Sequence, residues 1–149
     1  MSFFIKLFAT WGGSGYSPIA SGTVGTLAAI PLYIWLSRLS LPLYLFTLLP
    51  FFFFSSWVSG RAEELFGEKD SGKIVIDEVI GFLVTMIAIP PEWHYILAGF
   101  LLFRLFDIVK PPPARWFDRK VKNGYGVVLD DVAAGLYAWV CMLILTRFI

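Results

Sequence analysis

Polar segments divide the chain into five apolar stretches. These stretches cover residues 23–37, 39–60, 74–91, 93–109 and 127–148. No segment alternates polar and apolar residues with the period of two that is typical of a half-buried strand. We therefore predict an all-α protein, a bundle of about four to five helices that forms one domain across residues 1–149.

The lengths of the stretches bear on whether the helices cross a membrane. A spanning helix needs about 20 predominantly apolar residues to cross about 30 Å of hydrocarbon. The second stretch meets this requirement without a charged residue, whereas the first contains Pro31, a residue that kinks helices, and the other three have acidic residues near one end. Periodicity does not separate spanning from buried helices in these shorter stretches, so the number of complete spans stays open.

The composition favours a polytopic membrane protein. Hydrophobic residues make up 58% of the chain and charged residues 15%, whereas soluble domains have about 45–50% and about 25%. A short chain has little interior in which to bury this excess, so we expect it to face lipid. The net charge of +1 gives no indication of a nucleic-acid partner, and a single cysteine allows neither a disulfide framework nor a cysteine-based zinc site.

Basic residues are distributed unevenly between the two ends of the predicted helices. With a cytoplasmic amino terminus and five spans, the outer face receives only Arg38 and Arg147. The inner face receives Lys6, Arg61, Lys69, Lys73, Lys110, Arg115, Arg119, Lys120 and Lys122. This asymmetry follows the positive-inside rule. Every polar motif then lies at the cytoplasmic end of its helix, where we predict the functional site.

Five acidic residues are embedded in apolar sequence. They are Asp77, Glu78, Asp107, Asp130 and Asp131. A carboxylate near lipid is costly unless it is paired or binds a cation, and Mg²⁺ prefers oxygen ligands while leaving room for a substrate phosphate. We predict metal-binding or catalytic roles for all five. Alternatively, they are acids that stabilise helix amino termini, and Asp107 pairs with Arg104 or Lys110, each three residues away.

Two further segments are candidates for binding phosphate. In the glycine-rich segment 12–26, backbone amides and hydroxyl groups can face an anion at a helix amino terminus, although small residues also serve tight helix packing. In the segment 110–120, prolines end the fourth helix, and arginines four residues apart can pair with phosphate or with anionic lipid. The candidate residues are Ser14, Gly15, Ser21, Thr23, Lys110, Arg115 and Arg119.

Two common phosphatase mechanisms lack their residues in this predicted site. His94, the only histidine, falls on the outer turn, which excludes a phosphohistidine. Cys141 and Arg147 have the spacing of cysteine phosphatases, but the residues between them belong to an apolar helix. Such a helix does not wrap its amides around a phosphate or activate a thiolate.

The motifs resemble the phosphatidylglycerophosphatase A family. The resemblance lies in residues 13–33, 69–82, 103–120 and 124–135, in the order of the family and over nearly the whole chain. It implies a Mg²⁺-dependent enzyme of the bacterial inner membrane whose active site faces the cytoplasm. Its substrate would be phosphatidylglycerol phosphate, hydrolysed at the terminal phosphate to phosphatidylglycerol and inorganic phosphate.

The sequence leaves alternatives open for the mechanism and for the class of function. The five acids would hold the metal while one of them acts as base or nucleophile, and either water or an aspartate attacks the phosphate. Intramembrane acids also occur in divalent-cation channels and carriers, but here they lie at the helix ends. A lipid-binding factor without turnover has little need for five acids. The oligomeric state and the range of lipid phosphates accepted stay open.

Overall fold

Helices account for all regular structure in the described part of the chain. The computed structural model describes residues 2–67, 73–109 and 124–148. Its helices are α1 (Ser2–Ala9), α2 (Ser21–Leu36), α3 (Leu41–Phe66), α4 (Ile76–Thr85), α5 (Trp93–Val109) and α6 (Gly124–Leu145), with a 3₁₀ turn at Ser14–Tyr16. The all-α prediction is confirmed, and each predicted stretch contains one helix. The sequence pattern did not predict α1, whose eight residues form a short apolar run.

Helix α3, the longest in the described ranges, extends beyond the charge-free stretch that predicted it. Pro42 occupies its first turn, where the missing N–H group would have no helical partner. Gly67 ends it with a φ of 72°, a conformation that glycine adopts without steric cost. The 26 residues between measure about 39 Å, which is enough to cross a bilayer.

Helix α4 is shorter than the 74–91 stretch predicted and lies at the centre of the bundle. Its ten residues measure about 15 Å, roughly half of a hydrocarbon core. All of them except Glu78 are buried, and α2, α3, α5 and α6 pack around it. The third apolar stretch therefore forms a buried core helix.

Side chains from three neighbouring helices satisfy backbone carbonyls at the end of α4 and in the residues that follow. The last carbonyls of a helix lack a partner within the helix and are costly to bury unpaired. The bonds run from Tyr44 Oη to the Leu83 oxygen, from Trp139 Nε1 to the Ile87 oxygen at 2.8 Å, and from Tyr33 Oη to the Ile89 oxygen at 2.6 Å. They allow the chain to leave the helix while it remains inside the protein.

Pairs of contacting residues show the relative directions of the helices. Gly81 of α4 lies against Gly135 of α6, and further along both chains the Trp139 side chain bonds to Ile87. The two helices are therefore parallel. Helix α5 runs the opposite way, because Phe103 lies against Gly81 whereas Gly99, earlier in α5, lies against Met86.

Contacts with α4 also give the directions of α2 and α3. Gly22, in the first turn of α2, lies beside Glu78 near the start of α4. Tyr44 near the start of α3 bonds to the far end of α4, whereas Ala62 near its end packs with Ile76. The starts of α2 and α4, the first third of α6, and the ends of α3 and α5 thus share one end of the bundle, which we call the site end.

Basic residues of the described part follow the predicted asymmetry. The ammonium groups of Lys6 and Lys73 lie 5.7 and 5.2 Å from the centre of the Phe66 ring, at the carboxyl end of α3 and therefore at the site end. Arg38 and Arg147 follow α2 and α6 at the opposite end. These four residues therefore lie at the two ends of the bundle to which the sequence assigned them.

Apolar side chains form exposed stripes along three helices. They are Phe46, Leu49, Phe53 and Trp57 on α3, Leu97, Leu101 and Leu105 on α5, and Leu136, Val140 and Ile144 on α6. Spacings of three and four residues place each set on one helix face, and contiguous apolar surface of this kind marks contact with a membrane or a partner. In the described residues, α3 and the segment Val128–Leu145 of α6 are long and apolar enough to cross a bilayer.

Candidate active site

The five acidic residues singled out in the sequence converge at the site end. Carboxylate oxygens of Asp77, Asp130 and Asp131 all lie within 4.8 Å of one another, and so do those of Glu78, Asp107 and Asp131. Asp131 belongs to both sets. We call the five residues together the acidic cluster.

Close packing of three helices sets the geometry of the acidic cluster. Gly81 and Gly135 meet where α4 and α6 cross, and the Phe103 ring of α5 packs against Gly81. Asp77 and Asp131 each lie four residues before one of these glycines, about one turn closer to the site end. Asp107 lies four residues after Phe103, also one turn closer, because α5 runs antiparallel. The contact of Gly81, Gly135 and Phe103 thus brings carboxylates from three helices to the same level of the bundle.

Arg104 contacts two residues of the acidic cluster. Its guanidinium pairs with the Asp107 carboxylate, and Nη1 lies 3.9 Å from Glu78 Oε1. The pairing with Asp107, three residues away on α5, confirms one interpretation of the sequence. The approach to Glu78 joins two helices, so spacing along the chain gave no signal for it. Arg104 therefore neutralises part of the negative charge at the site.

The acidic cluster is shielded from water. Asp77, Asp107, Asp130 and Asp131 are between 2% and 8% exposed. Oδ2 of Asp131 has no hydrogen-bond partner within the described ranges. Several buried carboxylates in one place repel one another, and an unpaired buried charge is costly. A bound cation resolves both problems, and a donor set made only of carboxylate oxygens fits Mg²⁺.

The glycine-rich segment reaches the acidic cluster through the first turn of α2. A β-carbon on Gly22 would lie 3.0 Å from Glu78 Oε1 and 3.1 Å from Arg104 Nη1. Ser21 and Thr23 flank this glycine and are partly exposed. The amino end of α2, where backbone N–H groups are not used by the helix, therefore borders the acids.

Ser14 and Gly15 have structural roles in the turn before α2. The Ser14 hydroxyl and the Gly15 amide both donate to the Thr10 carbonyl, each at 2.9 Å. A β-carbon on Gly15 would collide with the Lys73 carbonyl, and the Val75 amide donates to the Ala9 carbonyl at 2.8 Å. The turn is thus fastened to the segment that leads into α4.

Three further candidates lie outside the described residues, and the two residues that the sequence excluded lie away from the acids. Lys110, Arg115 and Arg119 lie outside the described residues and stay predictions. His94, at the start of α5, lies 3.5 Å from Glu92 at the end far from the acids. Cys141 lies ten residues beyond Asp131 on α6, about 15 Å along the helix.

Comparison with known proteins gives consistent matches over most of the chain. Residues 7–146 match the family model described as phosphatidylglycerophosphatase A. The phosphatidylglycerophosphatase A of Escherichia coli K12 is 40% identical over 131 residues, covering 87% of this chain and 76% of the relative. That of Haemophilus influenzae is 42% identical over 136 residues, covering 90% and 83%.

A third relative carries a different name. A Bacteroides thetaiotaomicron protein named "Putative phosphatidylinositol-3-phosphatase" is 38% identical over 151 residues, covering 96% of this chain and 94% of the relative. No solved structure matches the chain. The family match extends from the end of α1 to the end of α6 and includes the acidic cluster.

Proposed function

The chain belongs to the phosphatidylglycerophosphatase A family, and on this premise we propose that it hydrolyses phosphatidylglycerol phosphate to phosphatidylglycerol and inorganic phosphate. The observation that carries the proposal is the convergence of five mostly buried carboxyl groups beside the amino end of α2. This arrangement combines a place for a cation with a place for an anion, as a phosphate monoester requires.

The acidic cluster would hold Mg²⁺. Its residues are Asp77, Glu78, Asp107, Asp130 and Asp131. When bound, Mg²⁺ supplies electrophilic assistance to a phosphoryl group and offsets its negative charge. One of the five carboxylates serves as base or nucleophile, and burial keeps bulk water away from the reacting phosphate.

The phosphate would lie between the acidic cluster and the first turn of α2. Ser21 and Thr23 flank Gly22, whose position next to Glu78 and Arg104 brings hydroxyl and amide donors to the edge of the site. Such donors hold phosphate oxygens and stabilise charge during transfer. Lys110, Arg115 and Arg119 would add positive charge from the segment after α5.

We place the protein in the bacterial inner membrane as a multi-pass protein whose site end faces the cytoplasm. The exposed apolar stripes on α3, α5 and α6 support lipid contact, and the basic residues at the site end support the orientation. A lipid substrate would then stay in the cytoplasmic leaflet, with its phosphate at the depth of the site end.

Two rival functions make different use of the same site. The relative named for phosphatidylinositol 3-phosphate points to another lipid phosphate monoester as substrate. A divalent-cation channel is not favoured, because the acidic side chains of the described residues lie towards the helix ends and none lies midway along the bundle.

Phosphate release by the purified protein in detergent tests the proposal. Phosphatidylglycerol phosphate and phosphatidylinositol 3-phosphate are compared with Mg²⁺, with chelator, and with Asp131→Asn. We expect Mg²⁺-dependent release from phosphatidylglycerol phosphate that Asp131→Asn abolishes, while Glu92→Gln at the exposed opposite end retains it. Folded protein that releases phosphate from neither lipid would refute the proposed activity, and preference for the inositol lipid would reassign the substrate.

A further inference from the structure

The acidic cluster consists of two overlapping sets of ligands, and we infer that it binds two divalent cations bridged by Asp131. The inference rests on the proposed function for its chemistry, since it specifies how the same site takes its metal. Its structural basis is independent of the substrate.

Asp131 belongs to both sets of ligands. Asp77 and Asp130 complete one set of three carboxylates around it, and Glu78 and Asp107 complete the other. In each set the three oxygen atoms lie within 4.8 Å of one another, a separation suited to ligands of a common ion. A carboxylate has two oxygens and about four lone-pair positions, so one aspartate can serve two ions.

The charge of the acidic cluster favours two divalent cations over one. The acidic cluster contains five carboxyl groups, and Arg104 pairs with two of them, those of Glu78 and Asp107. Fully ionised, this gives five negative charges and one positive charge, a net charge of −4. Among these six groups, one divalent cation would leave a net charge of −2, whereas two would bring it to zero and leave the basic residues proposed for the segment after α5 to pair with the substrate phosphate. Burial makes any excess costly.

Two buried oxygens without a partner belong to the set of Glu78, Asp107 and Asp131, and the one on Asp131 is shared with the other set. Oδ2 of Asp131, on a residue 2% exposed, meets no hydrogen-bond donor in the described ranges. Oε2 of Glu78 is also a buried atom without a hydrogen-bond partner in the described ranges. Buried polar atoms are normally satisfied, so these orphan oxygens indicate absent ligands.

Arg104 is compatible with a cation in the second set. Its guanidinium uses Oδ2 of Asp107, which leaves Oδ1 for an ion. Carboxylates that bind metals are commonly held in place by a further hydrogen bond. Arg104 thus orients Asp107 and contributes to the charge balance.

A pair of ions has a chemical consequence for the reaction. Phosphatases and related enzymes with two metals about 3.5–4 Å apart stabilise both the attacking and the leaving oxygen of a displacement at phosphorus. Here the residues that would hold the pair come from α4, α5 and α6, so the spacing of the ions depends on the packing of these three helices.

Titration with Mn²⁺ of the full-length protein in detergent tests the inference without reference to activity. Mn²⁺ takes the same oxygen ligands as Mg²⁺, and electron paramagnetic resonance distinguishes a spin-coupled pair from isolated ions. We expect two Mn²⁺ per chain with a coupled spectrum. Glu78→Gln and Asp77→Asn should each leave one uncoupled Mn²⁺, whereas the exposed control Glu64→Gln should keep the coupled pair.

The Mn²⁺ stoichiometry and spectrum of the wild-type protein test the inference even where a variant fails to fold. A single uncoupled Mn²⁺ per chain at saturation, or no binding, would overturn the inference. Phosphate release measured on the same preparation separates the two proposals. A coupled pair without release from any lipid refutes the proposed function alone, and release supported by one uncoupled ion refutes the bridged pair alone.

Discussion

A β-carbon on Gly135 would lie 2.5 Å from the carbonyl oxygen of Gly81. The backbones of α4 and α6 therefore touch at this point, a close approach of the kind that small residues allow where helices cross. One turn nearer the site end, the same two helices present Asp77 and Asp131. The separation of these carboxylates depends on the absence of side chains at the two glycines.

Replacement of Gly135 by alanine should destabilise the protein and weaken its affinity for cations. The added methyl group separates α4 from α6, at a cost of about 1–3 kcal/mol for overpacking. We expect the Kd for Mn²⁺ to rise about tenfold, equivalent to about 1.4 kcal/mol. Thermal unfolding in detergent and Mn²⁺ titration measure the two effects.

The adjacent residue provides a matched control for this variant. Leu136 is exposed on α6, so Leu136→Ala should leave both quantities nearly unchanged. An unaltered Mn²⁺ affinity in Gly135→Ala would show that the glycine contact does not position the carboxylates.

The sequence was sufficient to find the acids but not the packing that unites them. Asp77 and Asp131 stand out because they interrupt apolar sequence, and the alternation of helix directions follows from the order of the segments. The pairing of Gly81 with Gly135 depends on which helix faces meet, and so does the contact of Arg104 with Glu78. A single sequence does not contain this information.

The length of α4 was also beyond prediction from the pattern. Residues 74–91 are apolar throughout most of their length, yet the helix ends at Thr85. Its early end depends on hydrogen bonds from Tyr33, Tyr44 and Trp139, which come from three other helices. Hydropathy alone therefore overestimates the helix, because it does not register these long-range partners.

Removal of divalent cations should lower the stability of the folded protein. Bound ions would relieve repulsion among the buried carboxylates, and a ligand at about 100 times its Kd stabilises a protein by about 2.7 kcal/mol. We expect a lower unfolding temperature in chelator than in Mg²⁺. Asp131→Asn should show little difference between the two conditions, and a wild-type protein indifferent to Mg²⁺ would contradict a metal role for the acidic cluster.

Substitution of Arg104 by methionine should make stability strongly dependent on cations. Loss of one partner from a buried ion pair costs about 3–5 kcal/mol, and Glu78 and Asp107 would then lack their counter-charge. We expect a large loss of stability in chelator and a smaller loss in Mg²⁺, because the ions replace the missing positive charge. Thermal unfolding under both conditions provides the comparison.

Arg61 supplies the control for the loss of an arginine. It lies 3.5 Å from Glu64, and both side chains are more than half exposed, so Arg61→Met should change stability by about 1 kcal/mol or less. Equal losses for Arg104→Met in chelator and in Mg²⁺ would indicate that Arg104 stabilises the fold independently of the cation site.

Substitution of Tyr33 by phenylalanine should affect stability without affecting cation binding. The buried Tyr33 hydroxyl donates to the Ile89 carbonyl at 2.6 Å, and an unpaired buried carbonyl costs about 1–3 kcal/mol. This bond lies at the end of the bundle opposite the acids. Thermal unfolding should register the loss, while the Kd for Mn²⁺ stays constant; Tyr16→Phe at an exposed position serves as the control.

Two buried serines on α3 allow a test of how far the site extends. The hydroxyls of Ser55 and Ser59 have no hydrogen-bond partner in the described ranges and are fully buried. Removal of an unsatisfied buried hydroxyl is close to neutral or stabilising, so Ser59→Ala should unfold at the same temperature or higher.

Ser56, whose hydroxyl donates to the Phe52 carbonyl at 3.0 Å, is the control, and Ser56→Ala should lower the free energy of unfolding by about 1 kcal/mol. If Ser59→Ala instead weakens Mn²⁺ binding, its hydroxyl acts on the acidic cluster, and α3 joins α4, α5 and α6 in forming the cation site.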